Sequence, residues 1–337
     1  MKERNHAFDF LCAICIVRMI TLHIMNICGQ GENEVWQQVM QWTYFFMSFF
    51  FFKAGYFNKG VRRPTRPYLW DRVRRLLVPY FCWGLIGNIV YFAYLPKLLD
   101  RYHNPIEPLS WEHIWRTGSF YGNSPTWFLL SFFLTYVVVH FLEKVRFLPW
   151  LVLAFPAVSI WLWKLENPLW FSLNNVFMGV WFFYLGRSWH WIMNRLSAPH
   201  LYALSVFLVM GFGVCNFIWG GRYTMSGNTF QGNPWLVVLT CSMALCGIAG
   251  LLLSFRMPRI PVINFIGEHS MVFFVCHYPM LYFYKFTHLS FGRSIYGRWD
   301  DVLVLLPIIF CLCAWLVPYI ERVPWLSGRL RAKEGNH

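Results

Sequence analysis

Apolar stretches of roughly 20 residues recur along the chain between short polar segments, the length a helix needs to cross a hydrocarbon layer. Ten stand out: about 7–28, 36–57, 76–96, 125–142, 147–163, 169–187, 200–219, 234–254, 261–286 and 301–320. Backbone in lipid must satisfy its own hydrogen bonds, which makes each a helix. The spans at 147–163 and 169–187 make the weakest case of the ten. The pattern predicts an all-α, polytopic integral membrane protein of about ten transmembrane helices, with residues 1–337 forming one domain.

Charge orients this frame. Of the 29 Lys and Arg residues, 19 fall in the loops on the N-terminal side and 8 in the opposite set; Arg18 and Lys53 lie inside spans. The excess places both termini in the cytoplasm. Residues 58–75 then form a basic cytoplasmic loop, 97–124 an outer-face loop and 321–337 a cytoplasmic tail. The outer loop carries Trp111, His113, Trp115 and Tyr121 and reads as a partly helical lid on the membrane face. The Gly- and Asn-rich stretch 220–233 reads as a loop.

Composition agrees. The chain is 57% hydrophobic and 13% charged, against about a quarter charged in soluble domains, which excludes a water-soluble globule. The net charge of +14 sits in short inter-span segments, so nucleic acid is not an expected partner. The first span carries Arg18 and His23 and no small-residue cleavage site follows it, so it reads as a retained helix. The ten cysteines lie almost entirely in apolar runs without zinc or redox spacing, and read as small core residues with no metal role.

An ionisable side chain at membrane depth is costly unless it faces a cavity or a partner, which singles out His23. The plainer alternative is a histidine that bonds a neighbouring helix as packing glue. His23 and His277 each lie about sixteen residues into outward-running spans, roughly 24 Å from the inner end at 1.5 Å per residue. Equal depth on two helices points to one cavity. Arg72, Arg74 and Arg75 belong to a dense basic segment from Lys59 to Arg75. Such a segment serves as a topology anchor or as a seat for a phosphorylated cytosolic ligand. Lys53 near an inner helix end can snorkel, whereas mid-membrane Arg18 must pair or face water. Asp9 and Glu268 are the candidate acidic partners, and Pro79, Pro156, Pro279 and Pro307 read as helix kinks.

Several segments together resemble the integral membrane acyltransferase 3 family of bacteria, which O-acylates surface polysaccharides and related glycans. They are Phe8-Asp9-Phe10-Leu11 with His23, and the aromatic run Phe49 to Phe52 ending in Lys53-Ala54-Gly55-Tyr56. Next come Arg72 with Arg75, Val78-Pro79-Tyr80 and Thr126-Trp127-Phe128-Leu129, and last Ile266-Gly267-Glu268-His269-Ser270 with His277. Two departures matter. Cys12 stands where the family usually has Arg or Lys, eleven positions before the histidine and so close to three whole turns away. Ala54 stands where the family often has Ser. Lys53, at similar depth, is expected to supply the missing cation across the helix interface; Arg18 lies about 140° around the helix from His23.

The resemblance implies a multi-pass enzyme of the bacterial cytoplasmic membrane. It would move an acyl group, expected to be acetyl, from cytosolic acyl-CoA to a glycan hydroxyl at the outer face, with no permanently bound cofactor. Arg72 and Arg75 would hold the CoA phosphates. His23 would act as general base, with an acyl-histidine as the alternative, and His277 would orient the acceptor or polarise the thioester. Trp127 would stack on a sugar or serve the interfacial belt. The rivals are a polysaccharide transporter or exporter, which calls for paired broken helices and intramembrane acids, and a catalytically silent homologue.

Overall fold

The computed structural model describes residues 5–58, 64–93, 111–145, 148–165, 169–255 and 257–329. Lys2, Arg4, Lys59, Arg62, Arg63, Lys97, Arg101, Arg146, Arg256, Arg331 and Lys333 lie outside these residues, as does the 97–110 part of the expected outer loop.

Helix α1 (His6–Ile27) starts where the Asn5 side chain accepts from the Phe8 amide at 3.3 Å, satisfying an orphan donor of the first turn. The second apolar stretch is not one helix. It runs as α2 (Glu34–Trp42), a 3-10 turn (Tyr44–Phe46) and α3 (Ser48–Phe57). The break falls at Thr43, whose hydroxyl donates to the Val39 carbonyl at 2.5 Å and accepts from Arg18 Nε at 3.1 Å. Back-bonding of this kind bends a helix, and here the bend accommodates a guanidinium.

The third helix begins at Thr65, well before the hydropathy boundary at 76. It comprises α4 (Thr65–Arg72), a π turn (Val73–Leu77) and α5 (Val78–Ala93). Arg72, Arg74 and Arg75 therefore stand on helical turns, not in a loop. Pro79 offers no N–H to the Arg75 carbonyl four residues back and crowds it, so the turn widens. Gly328 packs directly onto that carbonyl.

The outer segment departs from a surface lid. Among the described residues, α6 (Trp111–Thr117) alone fits that description. The following residues dip into the bundle, where Asn123 Nδ2 donates to the carbonyls of Val275 at 3.0 Å and Trp83 at 3.3 Å. Asn88 Oδ1 accepts from the Gly122 amide at 3.0 Å. Irregular backbone at this depth is tolerated because protein partners satisfy it.

Helices α7 (Trp127–Leu142), α8 (Leu148–Lys164), α9 (Leu173–Met193) and α10 (Ala198–Trp219) follow. The stretch expected as a loop is a hairpin: β1 (Arg222–Thr224) pairs antiparallel with β2 (Thr229–Gln231), closed by left-handed Asn228. Helices α11 (Pro234–Ser254), α12 (Pro261–Glu268), α13 (Ser270–Ser290), α14 (Trp299–Glu321) and α15 (Pro324–Ser327) complete the chain. The ninth stretch thus divides at His269, whose Nδ1 lies 2.5 Å from Glu321 Oε1.

Among the described residues, 6 helices are long and apolar enough to cross a membrane: His6–Ile27, Thr65–Ala93, Ser124–Leu142, Ala198–Trp219, Pro234–Ser254 and Trp299–Glu321. The protein is mostly helical, with the small hairpin as the described exception. Helices α9 and α13 fall outside this set because polar residues lower their hydropathy: Asn174, Asn175, Arg187 and His190 on α9, and His277, Lys285 and His288 on α13. Helix α1 packs against α3, α11, α12, α13 and α14, which puts its residues at the centre of the bundle.

Candidate active site

Helix α1 presents Arg18, Met19, Leu22 and His23 to a cavity of about 80 Å³. Residues 18, 19, 22 and 23 follow the helical i, i+4 rows. The helix break contributes Met40, Tyr44, Phe46 and Met47 to the same cavity, the outer segment Pro125 and Trp127, and α13 Phe274. Residues 222–226 of the hairpin close it. The hairpin is bolted to α8, because Asn228 Oδ1 accepts from Ser159 Oγ at 2.6 Å and Asn228 Nδ2 donates to the Ser159 carbonyl at 3.0 Å; Tyr223 Oη, within the hairpin, donates to the same Oδ1 at 3.1 Å. Burial pushes the Tyr223 phenol well above its ordinary value, so it stays a neutral donor.

Half-buried His23 turns inward. Its ring centroid lies 5.2 Å from that of fully buried His277 and 5.1 Å from that of Tyr278. His277 Nδ1 bonds the carbonyls of Phe274 at 2.7 Å and Phe273 at 3.1 Å. Carbonyls only accept, so Nδ1 carries the proton and the neutral ring leaves Nε2 as a lone-pair acceptor. That Nε2 is buried and has no hydrogen-bond partner among the described residues.

Residues 5–317 match a family described as an acyltransferase domain. The chain belongs to the acyltransferase 3 family. No curated protein and no solved structure matches it. Family membership and the six apolar helices together make it an integral membrane acyltransferase.

Within this acyltransferase, the family-motif position at Cys12 meets a cation from the neighbouring helix. Lys53 Nζ on α3 lies 2.9 Å from Cys12 Sγ and 3.9 Å from Asp9 Oδ1. Glu268 faces Arg259 at 3.4 Å. His6, Asp9 and Glu268 bring ligand atoms within 4.8 Å of one another. Both carboxylates already face cations, so this set is not read as a metal centre. Arg18 pairs with neither acid. Its Nη2 approaches Met40 Sδ at 2.8 Å, and its guanidinium sits 3.8 Å over the Phe46 ring. Although 140° separates Arg18 from His23 around α1, the long side chain reaches the same cavity.

Arg72 and Arg75 differ in setting. Arg72 is half-buried, its guanidinium 4.1 Å from the Tyr136 ring centroid and 5.1 Å from that of Tyr68. Exposed Arg75 pairs with Asp71 at 3.0 Å one turn away. A file of rings joins this basic cluster to the cavity. It passes from Tyr136 to Phe132 at 5.0 Å, to Phe128 at 5.4 Å, and to cavity-lining Phe274 at 5.2 Å between centroids.

Sequence reasoning missed Arg222, Tyr223 and Tyr44 at the cavity. A signal for the first two existed: Arg222-Tyr223-Thr224 and Thr229-Phe230-Gln231 alternate polar and apolar around Ser226-Gly227-Asn228, a hairpin pattern.

Proposed function

We propose that the protein transfers an acyl group, with acetyl the expected one, from cytosolic acyl-CoA to a hydroxyl of a cell-surface glycan at the outer face of the bacterial cytoplasmic membrane. In this reading about ten helices span the membrane and both termini are cytoplasmic. The observation that carries it is His23, an imidazole turned into a protein cavity at the outer end of an aromatic file whose inner end meets Arg72.

His23 takes the proton of the attacking hydroxyl as its oxygen bonds the thioester carbon. The carbon–sulfur bond then breaks, and the proton passes to the departing CoA sulfur, giving ester and free thiol. His277 offers a lone pair and no second proton, so it orients the His23 imidazole or the hydroxyl and does not polarise the thioester. Trp127 gives the sugar a flat face. Arg72 and Arg75 hold CoA phosphates by charge-assisted bonds. The donor arm reaches His23 along the ring file, where half-buried Phe132 must turn aside.

Two measurements test the donor side. Arg72→Ala with Arg75→Ala raises the KM for acyl-CoA by about tenfold or more, as loss of charge-assisted contacts requires. An unchanged KM in folded protein returns these arginines to a topology role. Lys53→Met leaves Asp9 and Cys12 without this cation, and is expected to lower transfer by about tenfold, whereas Lys53→Arg keeps most of it. Full activity in Lys53→Met removes Lys53 from the site.

A further inference from the structure

We propose that the cavity beside His23 seats an anionic group of the substrate, a carboxylate or phosphate, between Arg18 and Arg222. The proposal rests on the acyltransfer reading and names the class of ligand that this site takes.

Arg18 is only 7% exposed, yet no acid pairs with it among the described residues. Its Nε is spent on a hydroxyl and its Nη2 on a thioether, while Nη1 is buried without a partner. A buried charge is retained only where something compensates it. Ring faces from Phe46 and Trp36 compensate in part and carry no net charge. Arg222 lines the same cavity from the hairpin. Its Nη1 donates to Gln37 Oε1 at 2.6 Å and its Nε to Gln231 Oε1 at 2.5 Å. Two neutral carboxamides fix the direction of that guanidinium and leave its charge intact.

None of the residues lining the cavity is acidic. Two oriented cations in a site without an acid form a receptor for a planar anion, which guanidinium forks match. Trp127 and Tyr223 border the same space and suit a sugar ring that carries the anion. The same chemistry has two sources, an acidic sugar of the acceptor or the free carboxylate of a dicarboxylic acyl group. The experiment separates them.

Purified full-length protein in lipid nanodiscs is given labelled acetyl-CoA with methyl glucuronide or with methyl glucoside. In a second arm, labelled succinyl-CoA is compared with acetyl-CoA on methyl glucoside. The expected result is a KM about tenfold lower for the glucuronide, abolished by Arg222→Gln and partly kept by Arg222→Lys. A preference that instead follows succinyl-CoA, and is lost in Arg222→Gln, also supports the seat and places the anion on the donor. Equal KM values for charged and neutral substrates, unaltered in Arg222→Gln, overturn it while acyl transfer itself stands. If no acceptor is labelled by folded protein, the transfer reading loses its support, and calorimetric titration then decides the seat. Binding of methyl glucuronide over methyl glucoside, lost in Arg222→Gln, upholds it, and binding of neither refutes it. Arg18→Gln, checked for folding by thermal unfolding, is expected to weaken the same discrimination.

Discussion

His23→Ala protein is expected to transfer acyl groups about 10²–10⁴-fold more slowly than wild type, the range a positioned general base contributes. A sugar hydroxyl is a weak nucleophile at neutral pH, and imidazole is the side chain suited to take its proton there. His23 is the histidine lining the cavity, while fully buried His277 lies behind it with Nδ1 tied to the helix backbone. Removing the His23 ring enlarges a space that already exists and breaks no hydrogen bond that the bundle needs. Thermal unfolding should therefore stay close to wild type while turnover collapses. Radiolabel passing from acyl-CoA to acceptor, measured at matched protein amounts, reads the effect. Added imidazole, small enough for the enlarged cavity, should restore part of the rate. Wild-type turnover by His23→Ala would take His23 out of the chemistry.

The parts of the site that depend on depth along a helix were legible in the sequence. His23 and His277 lie equally far into their apolar stretches and their rings stand 5.2 Å apart, although His23 lines the cavity and His277 lies behind it instead of sharing it. Lys53 and Cys12 lie near the same level of their helices, and they touch. Angular reasoning failed for Arg18, because a long guanidinium side chain reaches around its own helix. Tertiary hydrogen bonding was invisible. Nothing local in Met40 to Ser48 announces that Thr43 back-bonds and that Arg18 enters the break.

The hairpin with Arg222 left only a short trace. Two three-residue strands alternate polar and apolar around a turn, a pattern too brief to outweigh the Gly- and Asn-rich composition that reads as a loop. Asn174, Asn175 and Arg187 lower the hydropathy of the stretch at 169–187 and leave it one of the two weakest spans in the sequence pattern. That segment forms α9, a long interior helix whose Met178, Val180, Phe182 and Phe183 are fully buried. The π turn was legible in principle, since Pro79 sits where a widened turn relieves its clash with the Arg75 carbonyl.

Gly55→Val is expected to destabilise the fold by about 3 kcal/mol or more, the upper range for overpacking a closed interior. A Cβ built on Gly55 falls on the Phe183 carbonyl, and one built on Gly186 falls on the Phe52 carbonyl. Both obstacles are backbone atoms, which cannot swing away as a flexible side chain can. The two contacts are reciprocal and set the distance between α3 and α9, as small residues do where membrane helices pack closely. A valine forces these helices apart over the buried rings of Phe51, Phe52, Phe182 and Phe183. It also shifts α3, and with it the Lys53 ammonium away from Cys12 on α1. Activity should therefore fall together with stability, unlike His23→Ala, where only activity falls. Gly213→Val on α10 is the matched control, since a Cβ there meets nothing within 4 Å. That variant is expected to stay within about 1 kcal/mol of wild type, the scale of glycine's own helix penalty. Thermal unfolding of the purified proteins in one detergent compares them. A Gly55→Val protein as stable as Gly213→Val would show that α3 and α9 do not pack at this distance.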